Sequence, residues 1–230
     1  MAMLAAKWAH LDPAAAMSWA SALEGETKEA ILPTMAMELA ARAPGPAMEV
    51  ALMLDGGQTR RDVLSFVSAQ WAGAYPKEGL QWLRDLTDPE LRATVEHRMM
   101  MAVASDHPSD AANYVMEMQA PEARLESMPG IIQRWVQIEP EAAADWVRGV
   151  SDANLRTASL QPMLRVWAQA APAELRNWWS RQPEGTFRNE VASSMASIMA
   201  ATNPSSALSY AEGISDPQLK AVALQNLSEP

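Results

Sequence analysis

The sequence predicts an all-α chain, an α-α hairpin repeat solenoid of about seven 32-residue repeats, and three observations carry that expectation. Prolines stand at Pro44, Pro76, Pro108, Pro140, Pro172 and Pro204, thirty-two residues apart each time, with Pro13 thirty-one residues before the first of them. Six positions after each proline come Trp19, Val50, Trp82, Tyr114, Trp146, Trp178 and Tyr210, so aromatics fill six of seven slots in a chain with only 9 Trp, 3 Tyr and 2 Phe. The rest of the composition is rich in Ala, Met and Leu, without the Val and Ile excess or period-two alternation of strands, and so favours helices.

Taken in order, each repeat opens on its proline. A missing N–H does no harm in the first helical turn, and Asp12 or Asn203 just before the proline can cap that turn. Apolar side chains follow at three, six, seven and ten residues after the proline, as in Gly79, Trp82, Leu83 and Leu86, which is one stripe of a short helix. The first of these slots is small in six repeats: Ala16, Ala47, Gly79, Ala111, Ala143 and Ala207, with Leu175 as the exception. A break follows at Gly56-Gly57, Asp88-Pro89, Asp152, Gly185 and Asp216-Pro217, where Asp before Pro again reads as a helix start. A longer second helix then runs through residues such as Leu91, Val95, Met99 and Val103 to about four residues before the next proline. Pro33, Pro129 and Pro162 fall inside second helices and are expected to kink or shorten them. Five residues before each proline stand Trp8, Leu39, Trp71, Val103, Trp135, Trp167 and Met199, each followed by Ala or, at residue 136, Val.

Neither helix of such a pair can bury its apolar stripe alone. Stacking against neighbouring pairs does so, which predicts one continuous domain over residues 1–230. The chain begins and stops within second helices, and the expectation is a segment of a longer array.

Composition narrows the function classes. The net charge of −10 repels phosphate backbones, so no nucleic-acid partner is expected. Cysteine is absent, which removes disulfides, thiolate nucleophiles and cysteine-based zinc sites, and leaves the compartment open between a cytoplasmic and an exported protein. No run of 18 apolar residues exists, so no transmembrane segment is expected. His10, His97 and His107 occupy unrelated repeat slots, and no metal-ligand spacing, nucleophile elbow or phosphate-binding loop is present. The expectation is no catalytic residue, no metal and no cofactor.

The proline followed six residues later by an aromatic resembles the junction between tetratricopeptide repeats. The unit here is two residues shorter, and the slot four after the aromatic, glycine in that family, holds Leu23, Leu54, Leu86, Met118, Val150, Gln182 and Ile214. The repeat is more closely similar to short W-A-x-x-D-P-x-x-A-x-x-W hairpins of largely uncharacterised bacterial proteins. The resemblance implies a right-handed superhelix of the tetratricopeptide or HEAT kind, with the slot seven after the proline facing a concave groove.

That slot is Ala20, Ala51, Leu83, Val115, Val147 and Ala211 in six repeats and Trp179 in one, which makes Trp179 the first candidate for ligand contact. Arg176 stands three residues earlier on the same helix, and Arg148 is expected to approach from the preceding hairpin. Arg84, Met116 and Arg148 lie eight after their prolines and would align as a mixed basic and apolar strip. A basic ladder, Lys28, Arg60, Arg92, Arg124, Arg156, Arg188 and Lys220, recurs once per repeat. At Asp88, Asp152, Glu184 and Asp216 an acid stands four residues before a rung, which predicts ion pairs within the helix. The Trp pairs eleven residues apart read as inter-repeat core in preference to a sugar-binding ladder. The expected function is a non-enzymatic module that binds a protein or peptide, or scaffolds an assembly. The alternatives are a helical toroid or accessory domain of an enzyme, for example a carbohydrate-active one, and a purely structural spacer.

Overall fold

The computed structural model describes residues 1–228, apart from the side chains of Ala6 and His10. Among the described residues it has fifteen helices and no strand. A leading second helix, α1 (Ala2–Leu11), precedes seven hairpins. Their first helices are α2 (Pro13–Ser21), α4 (Pro44–Met53), α6 (Pro76–Asp85), α8 (Pro108–Glu117), α10 (Pro140–Gly149), α12 (Pro172–Ser180) and α14 (Pro204–Glu212). Their second helices are α3 (Gly25–Ala40), α5 (Gln58–Ala74), α7 (Pro89–Asp106), α9 (Pro121–Ile138), α11 (Ala153–Ala170), α13 (Thr186–Met199) and α15 (Pro217–Ser228). Every repeat proline is the first residue of its helix.

The chain divides into two compact units, Met1–Tyr114 and Val115–Pro230. In the first, the second helices α1, α3, α5 and α7 pack each on the next, and the short helices α2, α4 and α6 fill the angle beside them. In the second, α9, α11, α13 and α15 form the same kind of row, with α10, α12 and α14 packed against it. No described helix is long and apolar enough to cross a membrane.

A short junction joins each hairpin to the next, a single residue at five of the seven turns, and the proline dictates the conformation of the residue before it. The residue before proline is barred from the α region by the ring. Asp12, Ala43, Tyr75, Glu139, Ala171 and Asn203 accordingly sit at φ between −149° and −135° with ψ of 66–84°. That residue still gives its N–H to the carbonyl five before the proline and accepts from the N–H three after it, as Tyr75 does with Trp71 (2.8 Å) and Gly79 (2.9 Å). The two helical ladders therefore share one residue, and the turn between them is the same in each repeat. So sharp a turn brings the helices close, which explains the recurring small side chains. A Cβ added at Gly79 would lie 3.1 Å from the Cα of Ala72.

Two of the three interior prolines leave their helices at full length. Pro129 and Pro162 lie within the 18-residue α9 and α11, as long as α7, which has no interior proline. Glu29, Leu125 and Ala158, whose carbonyls lose a partner four residues before each proline, are not buried, so water can replace the missing N–H.

The paired tryptophans face each other across the turn at 5.2–6.0 Å between ring centroids. Burial is uneven within the pairs. Trp71, Trp135 and Trp167 are buried, whereas Trp82 and Trp146, expected in the core, are half-buried. Trp178 is closed over because Phe187 packs edge-on against it, and the corresponding residues for Trp82 and Trp146 are the smaller Leu91 and Leu155.

Candidate functional site

The basic ladder orders one edge of each unit. Arg156 in the first turn of α11 donates to the carbonyl of Val150 at 2.7 Å and makes a bidentate pair with Glu190 of α13, both bonds 2.8 Å. The hydrogen bond to Glu190 is the main reason its pKa rises further above the ordinary guanidinium value. Arg92 in α7 likewise reaches the carbonyl of Leu86, and it bonds Glu96 and the Tyr114 hydroxyl. Tyr114 donates to Glu96 at 2.8 Å, and burial, then that hydrogen bond, pushes its pKa well above 10.0. Lys28 pairs with Asp55 in the loop after α4, and Lys220 caps the carbonyl of Glu212.

The expected pairing of rungs with acids four residues earlier is therefore mostly replaced. Asp88 and Asp152 are N-caps whose Oδ1 atoms accept backbone N–H bonds from Leu91 and Leu155 at 3.1 Å. A carboxylate turned onto the helix end leaves the guanidinium to find carbonyls and acids elsewhere. Only at Arg188 is the earlier acid, Glu184, a direct partner among the described residues, and at 4.0 Å the pair is loose.

Arg188 lies in the second unit and lines a small pocket of about 180 Å³. Its wall comprises Arg148 from α10, the segment Gln182 to Gly185, and the start of α13. Gly185, at φ 151°, is the N-cap of α13 and offers no side-chain acceptor to the first turn. Nε of Arg188 is buried and has no hydrogen-bond partner. Its guanidinium carbon lies 5.0 Å from the centroid of the Trp179 ring, within cation–π range. Arg148 is exposed, pairs with Asp145 at 2.9 Å and donates to Gln182 at 3.1 Å.

The candidates named from sequence fall around this pocket unequally. Trp179 is 9% exposed, covered by Tyr210 at 4.8 Å between centroids and by Arg188, and its Nε1 donates to the carbonyl of Arg188. It supports the pocket from behind and does not face an open groove. Gly213 is the reason the ring fits, since a Cβ there would stand 2.5 Å from Trp179 Cη2. Arg176 is exposed, and its guanidinium serves the buried Tyr210 hydroxyl. Burial raises the pKa of that hydroxyl and Arg176 offsets part of the rise. Arg148 lines the pocket and Met116, in the same unit, is half-buried on α8. Arg84 belongs to the first unit, where its guanidinium lies 5.7 Å from the Tyr114 ring centroid.

Sequence reasoning assigned Arg188 to the ladder and missed it as a site residue. The available signal was Gly185, which stands where a capping aspartate would shield the helix start.

Comparison with family models, curated proteins and solved structures finds no match to this chain.

Proposed function

We propose that the protein is a non-enzymatic peptide-binding module, and that its second unit takes an acidic side chain of a protein partner between Arg148 and Arg188. The observation that supports this reading most is the pair of guanidinium groups, Arg148 and Arg188, that line one small pocket, with Arg188 only loosely paired at 4.0 Å to Glu184, whose side chain is 80% exposed. A carboxylate bound between two guanidinium groups gains charge-assisted hydrogen bonds, which are stronger than neutral ones. The exposed α13 start adds free backbone N–H groups on the same side.

Size selects the ligand class. About 180 Å³ holds one side chain and falls below the roughly 300–1,000 Å³ of clefts that enclose metabolites or cofactors. A net charge of −10 disfavours polyanions such as nucleic acid, whereas a single carboxylate on a peptide meets a local excess of arginine.

Fluorescence-polarisation titration of a short labelled peptide with a central Glu, against the same peptide with Gln, tests the reading. The Glu peptide is expected to bind in the micromolar range, about −8 kcal/mol at 1 μM, and roughly tenfold more tightly than the Gln peptide. Equal affinity for the two would refute a carboxylate site.

A further inference from the structure

At each hairpin junction the residue before the proline and the residue two after it lie three apart on one turn. In two consecutive junctions, and in none of the other five, a ring occupies the first of these slots and an acid the second: Tyr75 with Glu78, and His107 with Asp110. Neither capping nor packing accounts for Tyr75. In the same slot Asp12 and Asn203 accept N–H bonds from Ala15 and Ser206 at 3.0 and 3.1 Å, whereas Tyr75 gives α6 no side-chain cap. Its ring stays out of the core, 40% exposed. These four residues, with Pro76 and Lys77, line an open pocket of about 270 Å³ in the first unit, walled largely by carbon. Among the described residues the carboxylates of Glu78 and Asp110 and the Tyr75 hydroxyl have no hydrogen-bond or ion-pair partner.

We infer that this pocket holds one arginine side chain of a protein partner, stacked on the Tyr75 ring with its guanidinium shared between Glu78 and Asp110. The site is separate from the carboxylate site of the second unit. Charge selects a cation, since two carboxylates stand against one ammonium, Lys77, in a chain of net charge −10. The carbon walls select a cation that stacks. A guanidinium is planar, weakly hydrated and able to fork to carboxylates, whereas a lysine ammonium is a compact, strongly hydrated charge. Size agrees, because about 270 Å³ falls below the roughly 300–1,000 Å³ of clefts that enclose metabolites. Spacing agrees as well. Helices α5 and α7 pack on each other, so the junctions that follow them emerge about 10 Å apart. A flat group held between two rings takes up about 7 Å, twice a carbon contact of about 3.5 Å, so Tyr75 and His107 can close on it from either side.

The experiment uses the full chain and labelled, end-capped Gly/Ser peptides with a central Arg, Lys or citrulline, the last an uncharged isostere of arginine, followed by fluorescence polarisation. The Arg peptide is expected to bind about tenfold more tightly than the citrulline peptide, with the Lys peptide between them. Tyr75→Ala, and separately a Glu78→Gln, Asp110→Asn double variant, are each expected to bring the Arg peptide down to the citrulline level while circular dichroism shows an unchanged helix content. Tyr75→Phe keeps the ring and loses the hydroxyl, and is expected to retain the preference for Arg. Equal affinity for the Arg and citrulline peptides would overturn the inference, as would an Arg preference that survives both Tyr75→Ala and the double variant. A Lys peptide that matched the Arg peptide would overturn stacking on Tyr75. None of these results bears on the Glu peptide and the second unit, so the two sites stand or fall separately.

Discussion

Replacing Gly213 with alanine tests how tightly the site's support is packed. Gly213 follows α14 with φ −74°, a conformation any residue adopts, so the substitution introduces no backbone strain. Its consequence is steric alone. The new methyl carbon would stand 2.5 Å from Cη2 and 2.9 Å from Cζ2 of Trp179, and ordinary carbon contacts lie about 3.5–4.0 Å apart. The ring would have to retreat by about 1 Å, but Tyr210 at 4.8 Å and Arg188 at 5.0 Å hold its faces. Overpacking of this kind destabilises by about 1–3 kcal/mol. Urea denaturation followed by circular dichroism would measure the loss. In a Gly213→Ala, Trp179→Leu double variant the methyl group has room, so the two changes should be non-additive, with a coupling of about 1 kcal/mol or more. A neutral Gly213→Ala, or strictly additive effects, would refute the packing described for Trp179.

Three further outcomes follow from burial and protonation. Trp167→Ala, removing a ring only 2% exposed, should cost about 3–5 kcal/mol, and Trp146→Ala, removing a half-buried one, about half as much; equal losses in thermal or urea unfolding would contradict the uneven burial. The raised pKa of Tyr114 means that its protonated form is favoured by folding, so its contribution is complete below pH 10.0 and is lost as pH rises from there toward the higher folded value. Stability measured across that alkaline window should fall, and Tyr114→Phe should flatten the fall; an unchanged slope would contradict the Arg92, Glu96, Tyr114 network. Replacing Arg176 with Met, which keeps the stem and removes the charge, should steepen the alkaline loss by raising the Tyr210 pKa further, and no change would exclude their contact.

The fold was legible because the repeat is written in residues whose effect is local. A proline fixes its own φ and excludes the preceding residue from the α region, so Pro76 and Tyr75 specify the same turn that Pro172 and Ala171 do. The alanines beside the turn were legible for the same reason. Long-range choices were less so. Arg156 looks like the partner of Asp152 four residues earlier, but Asp152 is occupied with the helix start and the arginine finds Glu190 on the next second helix. Trp179 reads as a ring in a groove, because the glycine that makes room for it stands thirty-four residues later and carries no side chain to reveal the contact.

The most direct test of carboxylate binding at Arg148 and Arg188 is a nuclear magnetic resonance titration that follows backbone amides and arginine Nε–H signals while the single-Glu peptide is added. Binding at the pocket predicts that the Nε–H of Arg188 and Arg148 and the amides of Gly185, Thr186 and Phe187 shift together and saturate at one affinity, with the Gln peptide leaving them in place. Shifts confined to other surfaces, such as the exposed ring of Tyr75 or the half-buried Trp82 and Trp146, with the Arg188 Nε–H unmoved, would contradict it.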